Sequence, residues 1–129
     1  MIKKSPAMLA LDALYKVNPE DLTEVEIQAE VLVALRSHPA VAFVHRQNSG
    51  VFRASARTIK AGFPGCPDII GMLKGGRYLA VEVKKRGCKP SQEQSTFLDK
   101  VAESGGAAFV AHSAAEAVEW IETLKAEDF

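Results

Sequence analysis

Apolar and polar positions follow two different periods along this chain, and each change of period marks an element. Between Thr23 and Arg36 the residues Ile27, Val31, Leu32 and Leu35 recur every three or four positions and share a face with Glu24 and Gln28. That spacing predicts a helix, which His38-Pro39 ends. Val41 to Arg46 is apolar and β-branched enough to predict a buried strand, with a turn at Asn48-Ser49-Gly50. Val51 to Lys60 alternates weakly and reads as an extended arm or a hairpin. Gly62 to Pro67, with two prolines and two glycines, is a rigid loop leading into a strand from Asp68 to Leu73. Lys74-Gly75-Gly76 is a tight turn, and Arg77 to Lys84 is the clearest strand of the chain. Ser91 opens a helix that Gly105-Gly106 stops, Ala107 to His112 is a further buried strand, and Ser113 caps a last helix carrying Ala117, Trp120, Ile121 and Leu124 on one side. Ahead of all these, Ser5-Pro6 begins a short helix closed by Asn18-Pro19.

The elements therefore run α-β-β-β-α-β-α, with residues 1–22 as an N-terminal helical extension and 23–129 as a single domain. This is an α/β design with a mixed central sheet flanked by helices. With 129 residues the chain has length enough for one well-formed core. A composition of 47% hydrophobic and 25% charged residues is that of an ordinary globular domain, and no apolar run reaches the roughly 20 residues that span a bilayer. No membrane partner is expected, and a cytoplasmic location is. The two cysteines, Cys66 and Cys88, are too few for a disulfide framework or a Cys-rich zinc site.

Charge changes the picture more than composition does. Sixteen basic and sixteen acidic residues cancel overall, yet from Val31 to Gln92 eleven Lys and Arg stand against two acids, Asp68 and Glu82. Such a basic stretch suits a phosphate backbone, and it leaves only those two carboxylates to explain.

Period-2 alternation places Tyr78, Ala80, Glu82 and Lys84 on one face of their strand and Leu79, Val81 and Val83 on the other. A carboxylate and an ammonium at the end of a buried strand are costly unless paired or bound to a metal. Whether Asp68 joins them depends on the turn. A two-residue Gly75-Gly76 turn would set Asp68 opposite Val83, whereas a three-residue Lys74-Gly75-Gly76 loop sets it opposite Glu82. The longer loop needs a left-handed residue near its end, which Gly76 supplies, and it also stacks Ile69, Gly71 and Leu73 beside Val81, Leu79 and Arg77. Two adjacent carboxylates repel, and a divalent cation between them relieves this.

Gly65-Cys66-Pro67-Asp68 followed by Glu82-Val83-Lys84 after a glycine hairpin resembles the PD-(D/E)XK nuclease signature. Glu24-X-X-Ile27-Gln28, Asn48-Ser49-Gly50 and Pro90-Ser91-Gln92-Glu93-Gln94 resemble its VRR-NUC branch, over roughly residues 23 to 113. The chain lacks the Val-Arg-Arg run behind that name, which Lys85-Arg86 matches in charge alone. The resemblance implies a restriction-endonuclease-like core and a Mg2+ or Mn2+ ion held by Asp68, Glu82 and the Val83 carbonyl. Lys84 would act on the attacking water and the phosphate. It also implies supporting roles for Glu24, near the metal or reaching it through water, and for Gln94. Both have a competing use, because Asp21-X-X-Glu24, Thr23-X-X-Glu26 and Ser91-X-X-Gln94 are all capping-box patterns. DNA is the expected partner, cleaved with structural selectivity at branched, flap or four-way sites, its backbone contacted by Arg46, Asn48, Arg53, Arg57, Lys60, Lys85, Arg86 and Lys89. A homodimer is expected by analogy. The alternative is a catalytically inactive nucleic-acid-binding module of the same fold. His45, His112 and Trp120 read as structural.

Overall fold

A computed structural model describes residues 5–6, 21–47, 51–54, 57–60 and 62–127, of which 51–60 and 125–127 are described by backbone alone. The expected N-terminal helix lies outside the described residues beyond Pro6. Helix α1 spans Glu24–Arg36, followed by strands β1 (Val41–Arg46), β2 (Val51–Ala54), β3 (Arg57–Lys60), β4 (Ile69–Leu73) and β5 (Tyr78–Val83). Helix α2 (Gln92–Glu103), strand β6 (Ala107–Ala111) and helix α3 (Ala114–Glu127) complete the order. Within the stretch left open between arm and hairpin, residues 51–54 and 57–60 pair as antiparallel β2 and β3, Val51 with Lys60 and Ala54 with Arg57.

The main sheet has the order β1-β4-β5-β6, antiparallel except for the parallel β5–β6 pair that α2 connects. This is the mixed α/β sheet expected, consistent with a restriction-endonuclease-like core. Helices α1 and α3 cover one face, where Ile27, Val31 and Leu35 pack with Ile69, Leu79, Val81, Val83, Phe109 and Ile121. On the other face α2 sets Leu98 and Val101 against Ala80. The alternation read in β5 therefore separates two cores, with the odd-numbered residues under α1 and α3 and Ala80 under α2.

Strand β1 departs from expectation. It is an edge strand and only Val41 and Val44 are buried, while Phe43 is 47% exposed. Val41 pairs with Leu73 and Phe43 with Met72, so Ala42 is an extra residue in the ladder. The bulge shifts the inward face by one position and lets Val41 and Val44, three residues apart, point the same way. Trp120 is likewise 42% exposed and covers the core's rim by stacking on Phe109, with centroids 5.6 Å apart.

Candidate active site

Where the ladder between β4 and β5 ends decides what gathers there. Ile69 pairs with Val81 and Gly71 with Leu79, and the Leu73 N–H donates to the Arg77 carbonyl at 2.8 Å. The loop is therefore Lys74-Gly75-Gly76, with φ of 101° at Gly75 and 96° at Gly76. One step beyond Ile69 the same register sets Asp68 opposite Glu82.

Hydrogen-bonded and non-bonded pairs alternate along an antiparallel ladder, so after Leu73–Arg77, Gly71–Leu79 and Ile69–Val81 the next bonded pair would be Pro67 with Val83. Pro67 has no N–H to give. The ladder stops at that point, and the Val83 N–H donates instead to Asp68 Oδ2 at 2.8 Å. Lys84 turns its N–H toward β6, onto the Ala111 carbonyl at 3.1 Å, so Val83 turns its polar groups toward β4. There the proline leaves the Val83 carbonyl without its ladder donor. The Asp68 carbonyl accepts from the Gln47 N–H at 2.7 Å, which ties Asp68 to the strands on both sides.

Glu82 is 1% exposed. Its Oε1 accepts from Gln94 Nε2 at 3.0 Å and lies 3.9 Å from Lys84 Nζ, while its Oε2 is buried with no hydrogen-bond partner. Gln94 also takes the capping use foreseen for it: its Oε1 accepts from the Ser91 N–H at 2.7 Å and its backbone N–H donates to Ser91 Oγ at 3.1 Å, closing the capping box of α2. The capped turn thus presents the amide N–H to Glu82. Burial pushes the Glu82 carboxyl up to about 9, helped by the neighbouring Asp68 carboxylate and opposed by Lys84. A buried carboxyl beside a half-buried carboxylate keeps its proton unless a cation replaces it.

Helix α1 is capped by Thr23 with Glu26, whose backbone N–H donates to Thr23 Oγ1 at 3.2 Å. Glu24 takes no part in that cap, and its Oε1 lies 4.0 Å from Lys84 Nζ. Lys84 therefore sits between Glu24 and Glu82. Arg46 is exposed at the end of β1, and Lys85, Arg86 and Lys89 are exposed in the loop after β5. Arg53, Arg57 and Lys60 belong to the β2–β3 ribbon, but their side chains, and Asn48 entirely, lie outside the described residues. Gly65 was read as a loop residue and as the start of the Gly65-Cys66-Pro67-Asp68 motif, with no packing role. It has φ of 83°, and a Cβ there would lie 2.3 Å from the Glu93 carbonyl oxygen, so the loop carrying Asp68 rests directly on the first turn of α2. A glycine flanked by Pro64 and Pro67 is the one signal the sequence offers for it.

The sequence pattern of the VRR-NUC domain matches residues 16–115, over three-quarters of the chain. The chain belongs to the VRR-NUC domain family. A search of curated proteins found no match. A VRR-NUC domain is of nuclease type, and the residues at this site can be judged against the divalent cation such a domain implies. Among the described residues no three His, Cys, Asp or Glu side chains converge as a ligand group, and Glu24 faces Lys84 rather than joining the pair. Two carboxylates do converge, one with an orphaned buried oxygen, beside a carbonyl that has lost its ladder partner. Hard oxygen donors that repel one another when empty suit a hard cation.

Proposed function

We propose that this VRR-NUC domain hydrolyses DNA phosphodiester bonds in the manner of PD-(D/E)XK enzymes, with Mg2+ or Mn2+ held by Asp68, Glu82 and the Val83 carbonyl. Glu82 Oε2 carries the reading. A buried carboxyl oxygen without a partner costs about 1–3 kcal/mol, and a cation bound in place of the Glu82 proton would remove that cost. The chemistry such a cation supplies is Lewis acidity, which draws charge from a phosphate oxygen and acidifies water.

The chain's own residues do the rest. Asp68 is fixed in rotation by the Val83 N–H. Gln94 holds Glu82 Oε1 and so leaves Oε2 free. Lys84, positioned by Glu24 and Glu82, is a cationic donor for the attacking water and for the phosphate. The exposed Arg46, Lys85, Arg86 and Lys89 follow strand ends at this edge of the sheet, and with the Asn48 and Arg53–Lys60 region they make phosphate contacts carrying no base readout, which favours selectivity for DNA shape. Two copies related by a two-fold axis would grip a branched substrate from both sides.

Labelled linear, flap and four-way DNA incubated with Mn2+ or Mg2+ tests this. Wild type should cut branched substrates, and Lys84→Ala should not, while its DNA affinity stays within about a few-fold because one cation among many adds little to the summed attraction. Binding without cleavage of any substrate by wild type, with either cation, would leave an inactive binding module.

A further inference from the structure

A cavity of about 450 Å3 opens at the opposite end of β5, where the strand leaves the glycine turn and α2 ends against Gly105-Gly106. Its walls include Tyr78 and Phe97 with Val101 and Ser104, the exposed Lys100 also lines it, and among the described residues no Asp or Glu does. Tyr78 is 40% exposed. Arg77 braces the rim from behind, its Nε donating to the Gly105 carbonyl at 2.9 Å.

The cavity lies on the same side of the sheet as the carboxylate site, under α2, with the packed Ala80 and Leu98 between them. Gln94, Phe97, Val101 and Ser104 recur every three or four residues along α2, so one stripe of the helix runs from the amide on Glu82 to the cavity wall, a rise of about 15 Å. Tyr78 and Glu82 lie on the same face of β5, about 13 Å apart along the strand. Between them Phe63, from the loop that delivers Asp68, meets Phe97 with ring centroids 4.8 Å apart and is itself 46% exposed. Aromatic surface thus extends from the cavity toward the site.

We propose that this cavity takes an unstacked base from a single-stranded segment of the nucleic acid, held against Tyr78 and Phe97 with its phosphate at Lys100. This rests on the nuclease reading of the adjoining site and narrows its substrates to those carrying unpaired nucleotides. The volume falls in the range of ligand sites and suits one nucleotide. The exposed Tyr78 ring, beside the partly buried Phe97, offers a π-face that any base can stack on, and a lysine without an acidic neighbour among the described lining residues favours an anionic ligand over an apolar peptide or a second copy of the chain. An extended strand spans the distance to Asp68 and Glu82 in a few nucleotides.

The test is binding by the full chain in EDTA, with fluorescent duplexes that are blunt, carry a short single-stranded tail, or carry a tail of the same length without bases. The base-bearing tail should tighten binding roughly tenfold, the baseless tail should not, and 2-aminopurine in the tail should be quenched on binding. Tyr78→Leu, Phe97→Leu and Lys100→Glu should each remove most of the gain. Should Phe97→Leu fail to fold, the exposed Tyr78 and Lys100 carry the test. Equal binding of the two tails, or a gain that survives Tyr78→Leu, overturns the proposal. Because no cation is present, loss of tail preference with cleavage intact removes the cavity's role alone, and tail preference without cleavage removes the catalytic reading alone.

Discussion

Glu82 holds a proton in the folded chain at pH values where the unfolded chain has released it, since its carboxyl rises from 4.5 to about 9 on folding, through burial first and Asp68 second. Between those values the folded state binds more protons than the unfolded state, so rising pH favours unfolding. Calorimetry on the metal-free protein should therefore show a melting temperature that falls as pH rises from 4.5 toward 9, and Glu82→Gln should flatten that slope. A wild-type profile as flat as the variant's would mean that Glu82 is ionised without cost. The placement of Asp68 opposite Glu82 was legible because strand parity and turn length are local properties: Lys74-Gly75-Gly76 fixes the register, and the register sets the two residues side by side. The capping patterns alone could not choose between Glu24 and Glu26, because both spacings suit a helix start; the apolar helix face favoured Glu24 for the site, and the cap indeed closes on Glu26 while Glu24 lies beside Lys84. The orphaned oxygen was beyond reach, since it depends on how α2 packs over β5.

Among the elements, α2 is the part that other pieces lean on. Its first turn holds Gln94 against Glu82 and also lies beneath Gly65, where a methyl group would collide with backbone at 2.3 Å. Gly65→Ala should thus cost about 2–3 kcal/mol, from left-handed strain plus overpacking, and should also depress nuclease activity by moving Gln94. Gly75 has φ of 101° but open space around it, so Gly75→Ala should cost only about 1 kcal/mol and leave activity unaltered. Equal losses in the two variants would show that contact with α2 is unimportant. Helix and strand identities were legible from period and turn chemistry. Strand β1 was not, because a bulge at Ala42 answers to the partner strand and the core beneath it, and apolar content alone cannot tell a centre strand from an edge.

At the scale of the molecule, the core between the sheet and helices α1 and α3 is closed by a polar lock absent from the expectations drawn from sequence. His38, 3% exposed just past α1, brings Nε2 to 2.6 Å from Glu122 Oε1 on α3, while its Nδ1 accepts from the Ala40 N–H at 3.0 Å. His38→Ala strands the Ala40 N–H and opens a void, so it should lower unfolding free energy by about 2–4 kcal/mol in urea melts. A smaller loss would assign the helix pairing to apolar packing alone. The residue read as a helix terminator was a connector between elements 84 positions apart, a relation that local pattern does not hold. Sorted charge has its own large-scale consequence. Glu116, Glu119 and Glu122 ride on α3, whereas Lys84, Lys85, Arg86 and Lys89 follow β5, in a chain of zero formal charge. Such a molecule has no net repulsion to keep its copies apart and carries unlike patches that attract, with a range set by the Debye length of about 10 Å at 0.1 M salt. Near neutral pH its solubility should therefore be lowest in dilute buffer and rise as salt is added, and light scattering should find a second virial coefficient that climbs from negative values with ionic strength.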